Sequence, residues 1–300
     1  MDKEILRYVG KNLYNLRVLK EFKRYVVFMT RCHLHSKYMD EILEFFAATD
    51  LRQKMLRGTP SFVEQVTRAF FYKNSSWAER TALVKNHIIF LEERFKPELL
   101  QKLYAENQRI RVWEDCYQEK PLGMDLWFHG GQRKEGCLSL VLNYEGEELY
   151  QIMFWLSHDQ EKEPALFIGA LQGTPNGSEI IKGLTKAFFG YRTKNLIFYG
   201  IRNIADCMGI KNIYAVANEG YYAMNHLRRD RKLKTSLDDF WQECEGERCE
   251  DQRFYKMPVA EHRKAMEELK PSKRAQHRRR FAKMDEITAA VSESLAAYRK

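Results

Sequence analysis

A glycine-containing loop between an apolar run and a helical pattern is the part of this sequence best suited to chemistry. It links the run at 165–171 to a helix pattern beginning at Ser178, and it reads Gln172, Gly173, Thr174, Pro175, Asn176, Gly177. Free amides at a helix start, with glycines that allow close approach, suit a phosphate group. Neither the P-loop run nor G-x-G-x-x-G is present, so the alternative is an ordinary strand-to-helix turn.

Strand and helix patterns surround this loop. Alternating residues at 137–142 and the apolar run at 149–156 predict a hairpin before it. After it, two amphipathic helical patterns end at Gly190 and Gly209, and residues 213–217 return as a buried strand. A strand, a helical crossover and another apolar strand predict a mixed sheet with helices packed on it.

The first third of the chain is predicted to be helical. Two serine–glutamate pairs, Ser61 with Glu64 and Ser76 with Glu79, match the capping box that satisfies amides at a helix start. After the second pair, apolar residues recur at helical spacing. His87 lies on or beside that apolar face, so we interpret it as a core histidine.

A change of composition at 113–121 sets the predicted domain boundary. Residues 1–115 are predicted to form a helical N-terminal region, and residues 116–300 a mixed α/β domain. The predicted fold class is therefore α+β. At the C-terminal end, apolar residues at helical spacing predict a basic amphipathic helix that docks on the domain, with Phe281, Met284, Ile287, Val291, Leu295 and Tyr298 on its apolar stripe.

Composition limits the class of protein. The 300 residues have the apolar and charged content of a soluble globular chain. No apolar run approaches the roughly 20 residues that span a bilayer, and the N-terminal segment lacks the apolar core of a signal peptide. A cytoplasmic location is therefore predicted. The six cysteines include no C-x-x-C pair, so they are interpreted as reduced thiols, and no metal is expected.

Two basic clusters dominate the net charge of +9. They consist of Arg228, Arg229, Arg231, Lys232 and Lys234, and of Lys273, Arg274, Arg278, Arg279, Arg280 and Lys283. Such clusters can bind an anionic membrane surface or nucleic acid, or can be a solvated face. Nucleic acid is not favoured, because aromatic residues are sparse among the basic ones and no helix-turn-helix or RNP signature is present.

Four separated motifs resemble the VirK/YbjX family of bacterial proteins. In order they are FIGALQG at 167–173, GLTKAFFGYRTKNL at 183–196, DDFW at 238–241 and KRAQHRRR at 273–280. The resemblance covers roughly residues 125–295. It implies a role in virulence of enteric bacteria, in surface placement of a virulence protein, or in envelope remodelling and tolerance of antimicrobial peptides. It implies no assigned chemistry.

The order of elements in the second part also resembles the core of the GNAT acyltransferases. In that fold two neighbouring strands splay apart, so that a CoA thioester lies against exposed backbone groups while its pyrophosphate meets a helix start. The resemblance implies that 167–171 and 213–217 are the splayed strands. It also implies that CoA or an acyl-CoA binds at Gln172, Gly173, Thr174, Asn176, Gly177 and Ser178. This chain departs from the family in lacking the [QR]-x-x-G-x-[GA] run and in having two crossover helices.

The same resemblance assigns candidate catalytic residues after the second strand. Glu219 would deprotonate an amine through water, and Tyr221 or Tyr222 would protonate the departing thiolate, because acid–base catalysis needs such groups within hydrogen-bond reach. A tyrosine pair after a strand is also typical of packing.

These observations support two hypotheses. The first is an acyltransferase-like enzyme of cell-envelope biogenesis or stress. The second is a non-enzymatic factor that binds the inner face of the membrane, or an envelope-protein precursor, through the basic clusters. An enzyme needs the loop at 172–177 open to an anion, whereas an interaction protein can fill it with side chains.

Overall fold

The computed structural model of the protein describes residues 3–128, 133–174, 177–225 and 235–300. These residues form an α+β fold, which confirms the predicted class. Its helices are α1 (Lys3–Leu13), α2 (Leu19–Leu34), α3 (Ser36–Ala47), α4 (Asp50–Gly58), α5 (Ser61–Thr67), α6 (Trp77–Arg94), α7 (Pro97–Leu100), α8 (Ser178–Ala187), α9 (Thr193–Cys207), α10 (Leu237–Glu243) and α11 (Pro271–Ala296).

An eight-stranded sheet forms the centre of the described structure. The strands are β1 (Ile110–Tyr117), β2 (Lys120–Trp127), β3 (Leu138–Tyr144), β4 (Glu147–His158), β5 (Pro164–Gly173), β6 (Asn212–Val216), β7 (Glu247–Arg248) and β8 (Phe254–Met257). Their order is β1-β2-β3-β4-β5-β6-β8-β7, and only β5 and β6 pair in parallel. The mixed sheet, the β3–β4 hairpin and the two crossover helices agree with the sequence patterns.

The segment at 113–121 is a hairpin rather than a linker. Strands β1 and β2 meet at the pair Tyr117 and Lys120. Between them Gln118 and Glu119 both have positive φ, 52° and 62°, which is the backbone of a tight two-residue turn usually made by Asn or Gly. The unusual turn residues explain why sequence reasoning missed it. Strand β1 includes residue 115, where the boundary between the two predicted regions lies. The division of the chain into these regions stays a prediction.

The two predicted capping boxes have different outcomes. Ser76 caps α6, because its hydroxyl accepts from the Glu79 amide at 3.2 Å and the Glu79 carboxylate accepts from the Ser76 amide at 2.7 Å. The box at Ser61 is wrong, because Pro60 is the N-terminal cap of α5 and makes no side-chain cap bond.

The carboxylate of Glu64 binds the side chains of other residues instead of the backbone amide that a capping box requires. Its carboxylate is buried, accepts a hydrogen bond from the Tyr14 hydroxyl at 2.7 Å, and pairs with Arg68 at 2.9 Å and with Arg133. A buried carboxylate needs such paired charge, and the tertiary contacts therefore outweigh the local cap.

Helices cover both faces of the sheet. Side chains of a strand alternate between faces, and α9 packs on the face carrying Leu140, where a Cβ on Gly200 would lie 2.7 Å from Leu140 Cδ2. Helix α6 covers the opposite face, where Asn86 donates to the Ser157 hydroxyl at 3.1 Å.

His87 is a core residue, as interpreted from its place on the apolar face of α6. It is fully buried, its Nε2 lies 2.7 Å from the Tyr104 hydroxyl, and its Nδ1 accepts from the Leu156 amide at 3.1 Å. Burial lowers the pKa of His87 to about 3. The ring therefore stays neutral and links α6 to β4.

The C-terminal helix α11 docks on the sheet domain, as the apolar spacing predicts. Its residues Met284, Ile287, Val291 and Leu295 are buried. Polar contacts reinforce this packing, since the Tyr199 hydroxyl lies 2.7 Å from that of Thr288, and Ser294 donates to the carbonyl of Arg111 at 2.8 Å.

We expect truncation of the docked face to destabilise the whole fold. Ile287 is fully buried, so Ile287→Ala should lower the free energy of unfolding by about 2–5 kcal/mol through lost burial and an unfilled cavity. The exposed Glu293 on the same helix is a matched control, and Glu293→Ala should change the free energy of unfolding by less than about 0.5 kcal/mol. Urea unfolding measures both. Equal effects of the two variants would contradict docking.

Candidate functional site

Strands β5 and β6 stop pairing near their carboxyl ends, and we call this end of the pairing the parting. Their parallel pairing runs only from Ala165 with Asn212 to Ile168 with Ala215. Beyond that point β5 continues to Gly173, whereas β6 ends and the Ala217 amide donates to the carbonyl of Arg253 at 2.8 Å. The parting lies at the carboxyl ends of parallel strands, which is where ligands commonly bind in such sheets.

A β-bulge at Gly169 marks the start of the parting. Met153 of β4 pairs with Ala170, and Phe154 pairs with Ile168, so Gly169 is an extra residue opposite β4. A bulge bends its strand and often lies next to an active site. A side chain at this position would overlap the carbonyl oxygen of Glu135, so glycine is required for the chain at 133–136 to approach β5.

Glu135 is the buried acidic residue at the parting, only 3% exposed. Its Oε1 accepts hydrogen bonds from the Tyr221 hydroxyl at 2.6 Å and from Gln172 Nε2 at 3.0 Å. Both donors use the same oxygen, so neither occupies Oε2. The carboxyl group therefore joins the end of β5 to the segment that follows β6.

The main chain on either side of Glu135 is fixed by backbone bonds. The carbonyl of Lys134 accepts from the Phe71 amide at 2.7 Å, and the Cys137 amide donates to Phe154 at 2.9 Å. Tyr72 forms an isolated β-bridge with Tyr221. Glu135 is thus held by three segments that are distant in the sequence.

The electrostatics of this cluster favour proton exchange near neutral pH. Burial raises the pKa of Glu135 to about 7, against the opposing effects of the Tyr221 and Gln172 hydrogen bonds and of Lys134. Burial and the adjacent Glu135 raise the pKa of Tyr221 well above its usual range, so this hydroxyl stays protonated. Perturbed groups in such a position are candidates for catalysis.

The predicted catalytic residues separate into two places. Tyr221 bonds to Glu135, and the buried Tyr222 packs against Tyr221 with ring centroids 4.9 Å apart. Glu219 lies at the surface, 59% exposed, with Lys73 at 3.9 Å and Arg248 at 3.7 Å. Sequence reasoning missed Glu135 because it lies 86 positions from Tyr221 and its surroundings carry no motif.

The predicted phosphate loop is described in part. Gln172 bonds to Glu135, and the Thr174 amide donates to the carbonyl of Leu149 at 3.0 Å. Gly177 has φ −86°, an ordinary value, so the structure gives no conformational reason for glycine there. There is a steric reason for glycine, because a Cβ at this position would lie 2.8 Å from the Thr174 methyl group. Asn176 and the side chain of Ser178 lie outside the described residues.

A cavity of about 400 Å³ lies beside Gln172, Gly173 and Thr174. Its other wall is the turn and start of β4, including Glu147 and Glu148. Glu148 is paired with Arg109 at 2.8 Å. The loop is therefore accessible along its described part, but the facing side carries negative charge.

A larger cavity of about 580 Å³ lies on the α6 face of the sheet. Four aromatic rings stand side by side along it, with centroids 5.1–6.2 Å apart: Tyr72, Trp155, Phe167 and Tyr214. Its charged lining residues are five acids and two bases, Glu79, Asp159, Glu161, Glu250, Asp251, Arg253 and Lys256. The cavity is thus acidic in a chain of net positive charge.

The acidic cavity adjoins the Glu135 cluster through Trp155. The ring atom Cζ3 of Trp155 would lie 3.0 Å from a Cβ on Gly169, while the buried indole N–H of Trp155 has no hydrogen-bond partner in the described part of the chain. Sequence reasoning missed this cavity because its acids come from α6, from the β4–β5 loop and from the segment before β8.

The second predicted basic cluster is partly engaged within the protein. Arg280 donates to the carbonyl of Phe189 at 2.8 Å, and Lys283 pairs with Asp115 at 2.8 Å. Arg278 and Arg279 are exposed. The first cluster lies wholly outside the described residues, because they do not include 226–234.

Two features, a membrane-spanning helix and a metal site, are absent from the described ranges. Among them no helix combines the length and apolarity needed to cross a membrane. Within the same ranges, no group of three or more His, Cys, Asp or Glu side chains is arranged to hold a metal ion.

The fold and the site define an α+β protein whose mixed sheet contains one parallel pair, β5 and β6, with a buried acid beside the end of that pairing. The chain belongs to the DUF535 family, described as "Protein of unknown function (DUF535)", which matches residues 17–293. It is 32% identical over 241 residues to the Escherichia coli (strain K12) "Uncharacterized protein YbjX", across 78% of this chain and 72% of that protein. A Haemophilus influenzae protein is 23% identical over 271 residues, across 87% of this chain and 86% of its own. The resemblance to the VirK/YbjX family is confirmed.

The raised pKa of Glu135 predicts a specific pH dependence of stability. A carboxyl group whose pKa rises on folding, here from 4.5 to about 7, stabilises the fold fully below the lower value and loses that contribution as pH rises through the upper one. Compared with Glu135→Gln, the wild type should therefore lose on the order of 3 kcal/mol of unfolding free energy between pH 4.5 and 7.5, at about 1.36 kcal/mol per pKa unit.

Urea unfolding at several pH values measures this difference. A constant difference between wild type and Glu135→Gln at all pH values would show that Glu135 does not titrate in the folded protein.

Proposed function

We propose that this protein is an acyltransferase that moves an acyl group from a CoA thioester to an amine. The observation that carries the proposal is the end of the parallel pairing of β5 and β6 with the buried Glu135–Tyr221 pair beside it. The order of hairpin, loop, helices and parallel strand resembles that of the GNAT acyltransferases and supports the same reading. Because the chain resembles the VirK/YbjX family, we further propose that this activity belongs to the cell envelope.

The fit of CoA can be judged at the start of α8. Among the described residues no side chain caps this ten-residue helix, and the first amides of a helix have no partner within it, so an anion can bind them. The described loop residues border a cavity, which leaves room for a ligand. Glu147 and Glu148 on the facing wall oppose a phosphate there. The residues therefore fit a pyrophosphate held mainly by main-chain donors at Gly177 and the first turn of α8.

Glu135 and Tyr221 supply the proposed proton transfers. CoA, when bound, presents the acyl group as an activated thioester. Glu135 takes the proton that the amine nitrogen loses as it bonds to the acyl carbon, and Oε2 is the oxygen free of the two observed bonds. Tyr221 gives its own proton to the sulfur as the carbon–sulfur bond breaks. The carboxyl group of Glu135 then turns to present its protonated oxygen and returns a proton to Tyr221, which contacts Oε1 at 2.6 Å. The thiol thus carries the former Tyr221 proton, and the proton lost by the amine ends on Tyr221.

The proposal assigns the base role to Glu135 in preference to Glu219. A base is most effective when its pKa lies near the working pH, and burial places the pKa of Glu135 there. Glu219 is 59% exposed beside Lys73 and Arg248, and it remains the second candidate for the base. Tyr222 supports the ring of Tyr221.

Binding and transfer can be tested separately. Calorimetric titration with acetyl-CoA and with palmitoyl-CoA measures binding directly. Thermal unfolding measures it independently, because a ligand that binds only the folded state should raise the free energy of unfolding by about 2.7 kcal/mol at a hundredfold excess over Kd. Gly177→Val should abolish this effect, since the branched side chain would crowd Thr174 and the start of α8. Lys182→Ala on the same helix is the control and should lose less.

Transfer is followed as release of the CoA thiol with trilysine as the amine acceptor. Glu135→Gln should retain binding and lose about 10²–10⁴-fold in rate, while Glu219→Gln should stay near the wild-type rate. The reverse pattern would move the base to Glu219. No heat and no stabilisation with either acyl-CoA at millimolar concentration would remove the acyltransferase proposal.

A second candidate function is non-enzymatic binding of a cationic segment, such as part of an envelope-protein precursor. The acidic cavity favours it, because five carboxylates face only two basic groups, and Arg253 is already paired with Asp251 at 2.7 Å. Trilysine should then bind without any acyl-CoA, and Asp159→Asn with Glu161→Gln should weaken binding at least tenfold. The exposed Glu119 is a control outside the cavity. Unchanged affinity in the double variant would exclude this cavity.

A further inference from the structure

Helix α2 exposes an unusual concentration of large apolar side chains. Nine large hydrophobic residues are exposed among those the structure describes, and six of them lie at the start of α2 or along it: Val18, Leu19, Phe22, Val26, Val27 and Leu34. Leu19 and Leu34 are 69% and 74% exposed. Scattered exposed apolar residues are ordinary, but a contiguous set marks an interaction surface.

The exposed set lies on the side of α2 that faces away from the protein. Phe28 and Cys32 are the buried residues of this helix, four positions apart and therefore on one face. At 100° per residue, Leu19, Phe22 and Val26 fall on the opposite face. The helix thus has an inner apolar face that packs on the domain and an outer apolar face without a described neighbour.

The charge around this outer face is strongly positive. Residues 3–35 contain eight Lys or Arg and two Glu, Glu4 and Glu21, for a net charge of +6. Lys20, Lys23 and Arg24 are exposed on α2 itself, and only Arg24 of these is paired with an acid, Glu21, at 2.5 Å. Basic residues beside an exposed apolar stripe are the pattern of a helix lying in a membrane interface.

We propose that the outer face of α2 docks this protein on an anionic lipid surface. Leu19, Phe22 and Val26 would enter the boundary between headgroups and acyl chains, while Lys20 and Lys23 would meet lipid phosphates. A second copy of the chain fits less well, because two surfaces of charge +6 would repel one another. The inference concerns a surface distinct from the Glu135 cluster, and it stands whether or not acyl transfer occurs.

The sequence cluster at 273–283 does not account for this surface, and the cluster at 228–234 lies outside the described residues. The C-terminal cluster is partly engaged, through Arg280 and Lys283, and no exposed large apolar side chain of the described chain lies on α11. Interfacial binding needs both an apolar face and charge. In the described residues α2 combines them.

Sedimentation with vesicles tests the proposal on the full chain. Vesicles of phosphatidylcholine are compared with vesicles containing phosphatidylglycerol, and binding is expected with the anionic vesicles only. Leu19→Ser, Phe22→Ser and Val26→Ser combined should lower the partition coefficient at least tenfold. Lys20→Gln with Lys23→Gln should lower it about tenfold or more, and added salt should weaken binding of the wild type.

Matched variants elsewhere on the surface serve as controls. Val259→Ser removes an exposed apolar residue outside α2, and Arg278→Gln with Arg279→Gln removes two exposed charges of α11. Both should bind vesicles as the wild type does. Thermal melting of every variant should match the wild type, because all replaced side chains are exposed.

Three results would overturn the assignment. Undiminished vesicle binding by the triple α2 variant would exclude this face. A larger loss in the α11 variant would transfer the membrane contact to the C-terminal helix. Light scattering that shows a wild-type dimer and a monomeric triple variant would make the surface a contact between two copies of this chain.

Discussion

The close approach of the Glu135 main chain to Gly169 is the constraint on which the site depends. Because Gly169 has no Cβ, the carbonyl of Glu135 can lie against β5 at the bulge, and the side chain of Glu135 then reaches Gln172 and Tyr221. The bulge also coincides with the last pair between β5 and β6, Ile168 with Ala215. One glycine thus couples the end of the parallel pairing to the placement of a buried acid beside it.

Buried carboxylates have contrasting environments in this protein. Glu64 is buried against Arg68 and Arg133, so its charge is compensated and its role is to hold the helical region to the segment that leads into Glu135. Glu135 has neutral donors at its carboxylate and a pKa raised by burial. A compensated charge stabilises one arrangement, whereas an uncompensated group near neutrality can gain and lose a proton. The second environment is the one suited to chemistry.

The two cavities and α2 divide the surface by charge. A chain of net charge +9 carries an acidic, aromatic-walled cavity on the α6 face, and its residues 3–35 carry a net +6. Trp155 adjoins both the acidic cavity and the Glu135 cluster. An amine-bearing partner attracted to the cavity would therefore lie near the residues that surround the proposed base, while α2 would hold the protein at an anionic surface.

Local patterns in the sequence determined the elements that depend on local physics. Periodicity predicted α6, α8, α9, α11 and strands β3 to β6, the Ser76 box was correct, and the VirK/YbjX motifs identified the family. Other features depend on contacts between distant segments. The β1–β2 turn uses Gln118 and Glu119 at positive φ, Glu64 left its expected cap for a buried ion pair, and Glu135 joined Tyr221 across 86 positions. Only the tertiary structure could decide these, because burial and partner charge, which fix pKa and hydrogen bonding, are properties of neighbours in space and not in sequence.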